Sequence, residues 1–203
     1  QYMQYAYIPA PLSIYKGIQK LSPGHLLTIS LNDPAENMSL ESYWSLADVA
    51  AEAQQSPFSG TDTDALNELE RVLAQSVKGQ QLSDVPLGAF LSGGIDSSLI
   101  VALMQSQSSR PVNTFTIGFK EDAYNEAKFA SEVASHLGTN HNEIYVGAND
   151  VMDVIPSLPQ LYDEPFADSS QLPTFLVSQL ARKHVTVSLS GDAGDEIFGG
   201  YNR

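Results

Sequence analysis

The sequence has no cysteine among its 203 residues, which excludes a disulfide framework, a zinc–thiolate centre and a cysteine nucleophile within the chain. Positive charge is scarce: 10 Lys and Arg stand against 24 Asp and Glu, a formal charge of −14. That balance opposes a sequence-independent grip on a phosphate backbone, so no nucleic-acid partner is expected. No apolar run approaches the ~18 residues that span a bilayer, so no membrane partner is expected either. The first residues lack a basic segment followed by an apolar block. Residue 1 is Gln rather than Met, so the chain is expected to begin inside a longer protein. The four histidines, His25, His136, His141 and His184, lack ligand-like spacing, which argues against a histidine metal centre. His141 is expected to support a sheet edge near a bound ligand.

What is present divides the chain in two. Residues 1–56 contain Pro9-Ala10-Pro11, then the turn Pro23-Gly24, then the apolar and β-branched run Leu26 to Ser30, which predicts a strand. Asn32-Asp33-Pro34, Trp44 and Ser56-Pro57-Phe58-Ser59-Gly60 follow without a sustained period, and this stretch reads as a linker. From Asp62, apolar residues at Leu66, Leu69, Val72, Leu73 and Val77 predict an amphipathic helix. Thereafter strands (Val85–Leu91, Val112–Phe119, Glu143–Val146, Val185–Leu189) alternate with helices (Ser97–Gln107, Asn125–Leu137, Asp150–Ile155, Pro173–Lys183). Such alternation predicts an α/β fold, a parallel sheet flanked by helices. The last residues, Gly199 to Arg203, stop within a motif, and the fold is expected to be cut short at both ends.

Ligands of open parallel sheets sit beyond the carboxyl ends of the strands. Two loops there carry chemistry. The first, Leu91-Ser92-Gly93-Gly94-Ile95-Asp96-Ser97-Ser98, joins a strand to a helix. Adjacent glycines let the backbone turn tightly and come close to a ligand. Free amides at the start of the helix and the serine hydroxyls then suit phosphate oxygens. Asp96 would repel those oxygens unless a divalent cation lay between, so the bend implies magnesium. The bend is not a Walker A loop: G-x-x-x-x-G-K-[ST] is absent, and chemistry on a γ-phosphate is not indicated. The second loop, Ser190-Gly191-Asp192-Ala193-Gly194-Asp195-Glu196, concentrates three carboxylates whose mutual repulsion a cation or a substrate amine would relieve. Asp163-Glu164 and Asp168 lie in a Pro-bounded loop that is either a solvated turn or part of an acceptor pocket.

Ser92-Gly93-Gly94-Ile95-Asp96-Ser97 resembles the PP-loop of ATP pyrophosphatases. Together with the run from Ser190 through Phe198-Gly199-Gly200-Tyr201, it resembles the glutamine-hydrolysing asparagine synthetase family. Phe115-Thr116-Ile117-Gly118-Phe119, Asn125-Glu126, His141 and Asp163 to Ser170 stand in the order that family has. Tyr7 to Pro11 and Leu21 to His25 look like the end of its glutaminase domain. The resemblance implies residues 1–56 as the end of that domain plus a linker, and 57–203 as the amino-terminal part of an ATP-binding synthetase domain.

For the site, the resemblance implies Ser92, Gly93, Gly94, Asp96 and Ser97 on the phosphates and backbone contacts from Leu91 and Ile117 to adenine. Ser190 and Gly191 would meet the nucleotide from the other side, and Asp96 and Asp195 would share Mg²⁺. Asp192, where the family often has Glu, would help form or use the acyl-adenylate. The implied reaction is ATP-dependent amidation of aspartate through β-aspartyl-AMP, with ammonia drawn from glutamine by residues this chain does not contain. Its partners would be aspartate, ATP, and glutamine or ammonia; it leaves room for a homodimer and implies a cytoplasmic location. The rival readings are adenylation of another carboxylic acid, as by relatives that close β-lactams, cyclise peptides or amidate other acids, and a non-catalytic ATP-binding module.

Overall fold

In the computed structural model, residues 1–32, 38–120 and 125–200 are described. Along the chain come α1 (Tyr2–Tyr5), β1 (His25–Ile29), β2 (Met38–Ser42), α2 (Leu46–Gln55), α3 (Asp62–Gln80), β3 (Leu87–Phe90), α4 (Ile95–Ser106) and β4 (Asn113–Phe119). They are followed by α5 (Ala127–Leu137), β5 (Asn140–Val146), α6 (Ala148–Met152), α7 (Leu158–Leu161), α8 (Gln171–Ala181), β6 (Val187–Leu189) and α9 (Gly194–Phe198). These elements fall into two compact units, residues 1–65 with 158–168, and residues 66–157 with 169–203.

In the first unit β1 and β2 pair antiparallel, with Leu27 opposite Leu40 and Ile29 opposite Met38. The Pro23-Gly24 turn forms as predicted: Gly24 has φ +70°, and its carbonyl accepts the Tyr43 amide at 2.9 Å. Residues 158–168 are fastened to the first twenty by polar contacts. Lys20 pairs with Glu164, whose carboxylate also accepts the Ile14 amide at 3.2 Å. The Tyr15 hydroxyl donates to the Asp163 carbonyl at 2.8 Å. The linker expected over 32–60 is corrected: it holds β2 and α2. The Ser45 hydroxyl caps α2 by accepting the Asp48 amide, and an alanine-rich run propagates it. Its apolar period, Leu46, Val49, Ala50 and Ala53, is short and mostly alanine, and no residue of α2 is buried. Asp33 and Pro34 of that stretch lie outside the described residues.

The second unit has the predicted parallel sheet, in the order β5-β4-β3-β6. Successive side chains of a strand face opposite sides, and the core divides accordingly. Ala89 and Leu91 pack with Val77 of α3, Val101 and Met104 of α4, and Ala130 and Ala134 of α5. Phe115 packs instead with Val177, Leu180 and Ala181 of α8. A Cβ at Gly88 would lie 2.6 Å from the Phe115 ring, so the absent side chain lets this large residue be completely buried. Boundaries shift where pairing outranks composition: β5 begins at Asn140, before the expected Glu143, because Asn140 to Val146 stay in register with the whole of β4. Helix α4 starts at Ile95 rather than Ser97, α6 ends at Met152, and β6 starts at Val187.

Candidate functional site

At the carboxyl end of β3 the buried Leu91 donates its amide to the Phe115 carbonyl at 2.9 Å. Its carbonyl accepts the hydroxyl of the buried Thr116. The Leu91 amide is thus spent on the sheet, while its carbonyl, with two lone pairs, keeps one acceptor position. Ile117 differs. The Phe115 carbonyl points toward β3, and two residues on, where the pleat repeats, Ile117 turns its backbone to the same side after β3 has ended.

The double-glycine bend follows. Gly93 has φ +82°, and a Cβ there would lie 2.7 Å from the Ala130 amide nitrogen, so this position needs glycine on both conformational and packing grounds. The Ser97 hydroxyl accepts the Ser92 amide at 3.1 Å and pairs with the Ser92 hydroxyl at 2.9 Å. The Ser92 hydroxyl in turn accepts the Gly94 amide at 3.2 Å. The serines predicted to reach phosphate thus tie the bend to itself here. The amides of Ile95, Asp96 and Ser97 form the first turn of α4 and have no intrahelical acceptor.

The second loop is pressed against the first. A Cβ on Gly191 would be 2.7 Å from the Ser97 nitrogen and 2.8 Å from the Asp96 carbonyl carbon; one on Gly194 would be 2.5 Å from the Asp96 carboxylate. Ala193 takes a left-handed conformation, φ +75°, and redirects the chain into α9. This reversal separates the loop's acids. Asp195 lines a cleft with Ser92, Gly94, Asp96 and Ser97, whereas Asp192 is exposed, accepts the Ser190 hydroxyl at 2.9 Å, and does not line it. The cleft measures about 430 Å³. Tyr201, Asn202 and Arg203 lie outside the described residues.

A second cavity, about 500 Å³, opens between the ends of β3 and β4 and the start of α8. Its walls are mainly apolar, including Phe90, Leu91, Phe115, Ile117 and Val177, with Glu126, Ser169 and Ser170 among its few polar groups. Ser92 lines both spaces, so the apolar cavity and the acidic cleft meet at that residue. Sequence reading singled out Leu91 and Ile117 but not Phe90, Phe115 or Val177, whose apolar character is indistinguishable from that of core residues. Asn125-Glu126 and Ser169-Ser170 were visible as motif pieces without a role.

The cleft's donor set fits a magnesium ion accompanied by phosphate. Asp96 and Asp195 both line it, and among the described residues no Lys or Arg forms an ion pair with either. Among the described residues no group of three or more acidic, His or Cys side chains is arranged to hold a metal. Two carboxylates leave the remaining positions to phosphate oxygens and water, the arrangement Mg²⁺ favours.

Two residues singled out in the sequence have contacts of their own. His141 is on the edge strand β5, opposite Thr114, near the amino-terminal ends of the strands and thus away from the bend. Its Nδ1 is 2.9 Å from the Thr114 hydroxyl, its buried Nε2 has no hydrogen-bond partner and lies 4.0 Å from the Glu143 carboxylate, and burial holds its pKa below the ordinary value despite that carboxylate. The expected proximity to the ligand is corrected. Glu164 belongs to the first unit, where the hydrogen bond from Lys20 holds its carboxyl below the usual range. It is neither a solvated turn residue nor a free acid.

The family model for asparagine synthase matches residues 68–203. A putative glutamine-hydrolysing asparagine synthetase 2 of Methanocaldococcus jannaschii is 39% identical over 201 residues, 98% of this chain and 37% of that protein. Glutamine-hydrolysing asparagine synthetase 1 of Bacillus subtilis is 33% identical over 202 residues, 100% of this chain and 30% of that protein. Asparagine synthetase B of Escherichia coli, also named as glutamine-hydrolysing, is 37% identical over 153 residues, 66% of this chain and 27% of that protein. The chain thus spans between about a quarter and two-fifths of the length of these relatives.

Proposed function

The chain belongs to the asparagine synthase family, and from that premise we propose that it contributes the nucleotide site of an ATP-dependent ligase making asparagine from aspartate, with glutamine as nitrogen source. The observation that carries this reading is the junction at Ser92 of an apolar cavity large enough for a nucleoside with a cleft bearing two carboxylates. Adenine occupies the apolar cavity, where the backbone of Ile117 faces a side that β3 no longer covers. The triphosphate passes Ser92 into the cleft, toward the free amides opening α4, with Ser190 and Gly191 on its other side. Gly94 leaves its part of the cleft wall without a side chain, and Gly93 lets the bend pack against α5.

In the proposed reaction a β-carboxylate oxygen of aspartate bonds to the α-phosphorus, the bond to the bridging oxygen breaks, and pyrophosphate leaves with the electron pair. Ammonia then adds to the acyl carbon of β-aspartyl-AMP, the bond to the AMP oxygen breaks, AMP departs with that pair, and the nitrogen gives up a proton. The cleft contributes where charge develops: amides at Ile95, Asp96 and Ser97 stabilise the departing pyrophosphate. Magnesium held by Asp96 and Asp195 would offset negative charge on the phosphates. Asp192 lies outside the cleft with its carboxylate on the Ser190 hydroxyl, and the proton released by ammonia passes to solvent. Hydrolysis of glutamine needs a nucleophile that this cysteine-free chain does not supply as a thiol. A cytoplasmic location and a homodimer are parts of the same proposal.

Pyrophosphate exchange into ATP, measured on the protein carrying this chain with aspartate and a panel of other carboxylic acids, tests the reading. Exchange that requires aspartate supports it. Exchange with a different acid transfers the adenylation to another acceptor, and ATP binding without exchange under any acid turns the site into a binding module.

A further inference from the structure

We infer that Glu126 is a specificity-determining residue for the ribose of the bound nucleotide, its carboxylate accepting hydrogen bonds from the 2′- or 3′-hydroxyl; this rests on the nucleotide reading above. Glu126 lines the apolar cavity. Its backbone carbonyl accepts the Ala130 amide at 3.1 Å, and that same Ala130 nitrogen would be 2.7 Å from a Cβ on Gly93. Glu126 therefore stands one helical turn from the bend, on the side of the cavity that meets the phosphate cleft. A nucleotide laid through the two spaces has its sugar between base and phosphates, hence at this junction.

The chemistry narrows the choice. An ionised carboxylate only accepts hydrogen bonds, and the nucleoside offers it the two ribose hydroxyls and the adenine amino group. The amino group lies on the base, at the end remote from the phosphates, so the hydroxyls are the donors nearest a residue beside the bend. As N-cap of α5, Glu126 makes no side-chain capping bond, so its carboxylate is not required to close the helix. Among the described residues no cation forms an ion pair with it.

Equilibrium binding of ATP, 2′-deoxy-ATP and 3′-deoxy-ATP to the wild-type protein and to Glu126→Gln and Glu126→Ala tests the assignment. The wild type should prefer ATP to one of the deoxy analogues by about tenfold or more, the range of a hydrogen bond to a charged group. Glu126→Ala should bind ATP as weakly as that analogue and lose the preference, and Glu126→Gln should retain part of it. Equal weakening of all three nucleotides or unchanged discrimination in Glu126→Ala would each overturn the inference. Those results leave ATP binding and the nucleotide reading standing. Failure of the wild type to bind ATP at all overturns both.

Discussion

In the proposed reaction Asp96 carries the metal-holding role, because it lines the cleft from the first turn of α4 while Gly194, just across, leaves room for its carboxylate. Replacing it with Asn keeps the shape and removes the charge. Pyrophosphate exchange should then fall by about 10²–10³-fold, the scale of a lost electrostatic contact at a reacting centre, while the Kd for ATP rises less. Unchanged exchange would remove Asp96 from the metal-holding role. Gly191 governs how the loops meet. A methyl group there would collide with the backbone at Asp96 and Ser97, so Gly191→Ala should cost about 1–3 kcal/mol of stability and weaken ATP binding. Urea midpoints together with ATP titrations would register both effects. His141 answers to pH. Burial favours its neutral form in the folded state, so below about pH 6.5 the unfolded chain binds more protons than the folded one. Stability should therefore be complete above that pH and decline as the solution is acidified toward the lower folded pKa. His141→Gln should flatten that part of a stability profile followed by urea denaturation.

Among the elements, β3 is short yet positions both spaces of the site. It hands the chain to the bend through Leu91, which Phe115 and Thr116 grip by backbone and hydroxyl. Thr116→Val keeps the shape of the side chain and deletes the buried donor, leaving the Leu91 carbonyl one partner short. A loss of about 1–3 kcal/mol is expected, read as a lowered urea midpoint, with a weaker ATP titration because the bend loosens. The elements of the sheet were legible because apolar, β-branched runs bounded by turn residues alternate with helical periods. Helix α2 was not, since its period of Leu46, Val49, Ala50 and Ala53 is short and mostly alanine, a weaker signal than the leucines and valines of α3. The start of β5 was hidden for a related reason: Asn140, His141 and Asn142 are polar, and only pairing with β4 makes them a strand.

For the molecule as a whole, each unit carries its own acid-sensitive group. In the first, Glu164 gains from Lys20 and the Ile14 amide in its ionised form. Its contribution is complete above the unfolded value near pH 4.5 and vanishes as pH falls through the lower folded one. Acidification should thus weaken the His141 unit first and the Glu164 contacts afterwards, and Glu164→Gln should abolish only the later phase in a pH series of amide hydrogen exchange. Among the described residues no helix is long and apolar enough to cross a membrane, in line with the lack of long apolar runs. By itself the sequence determined the alternation of elements, the parallel character of the sheet and the two loops of the site, because periodicity, turn residues and unusual clusters of Gly, Ser and Asp are local properties of the chain. Tertiary structure alone decided that Gly191 and Gly194 nest against Asp96, that Ala193 turns Asp195 into the cleft and Asp192 out of it, and that Phe90, Phe115 and Val177 wall a cavity. Those outcomes depend on which surfaces come within a few ångströms of each other, and an apolar side chain reads the same along the chain whether it fills a core or borders an opening.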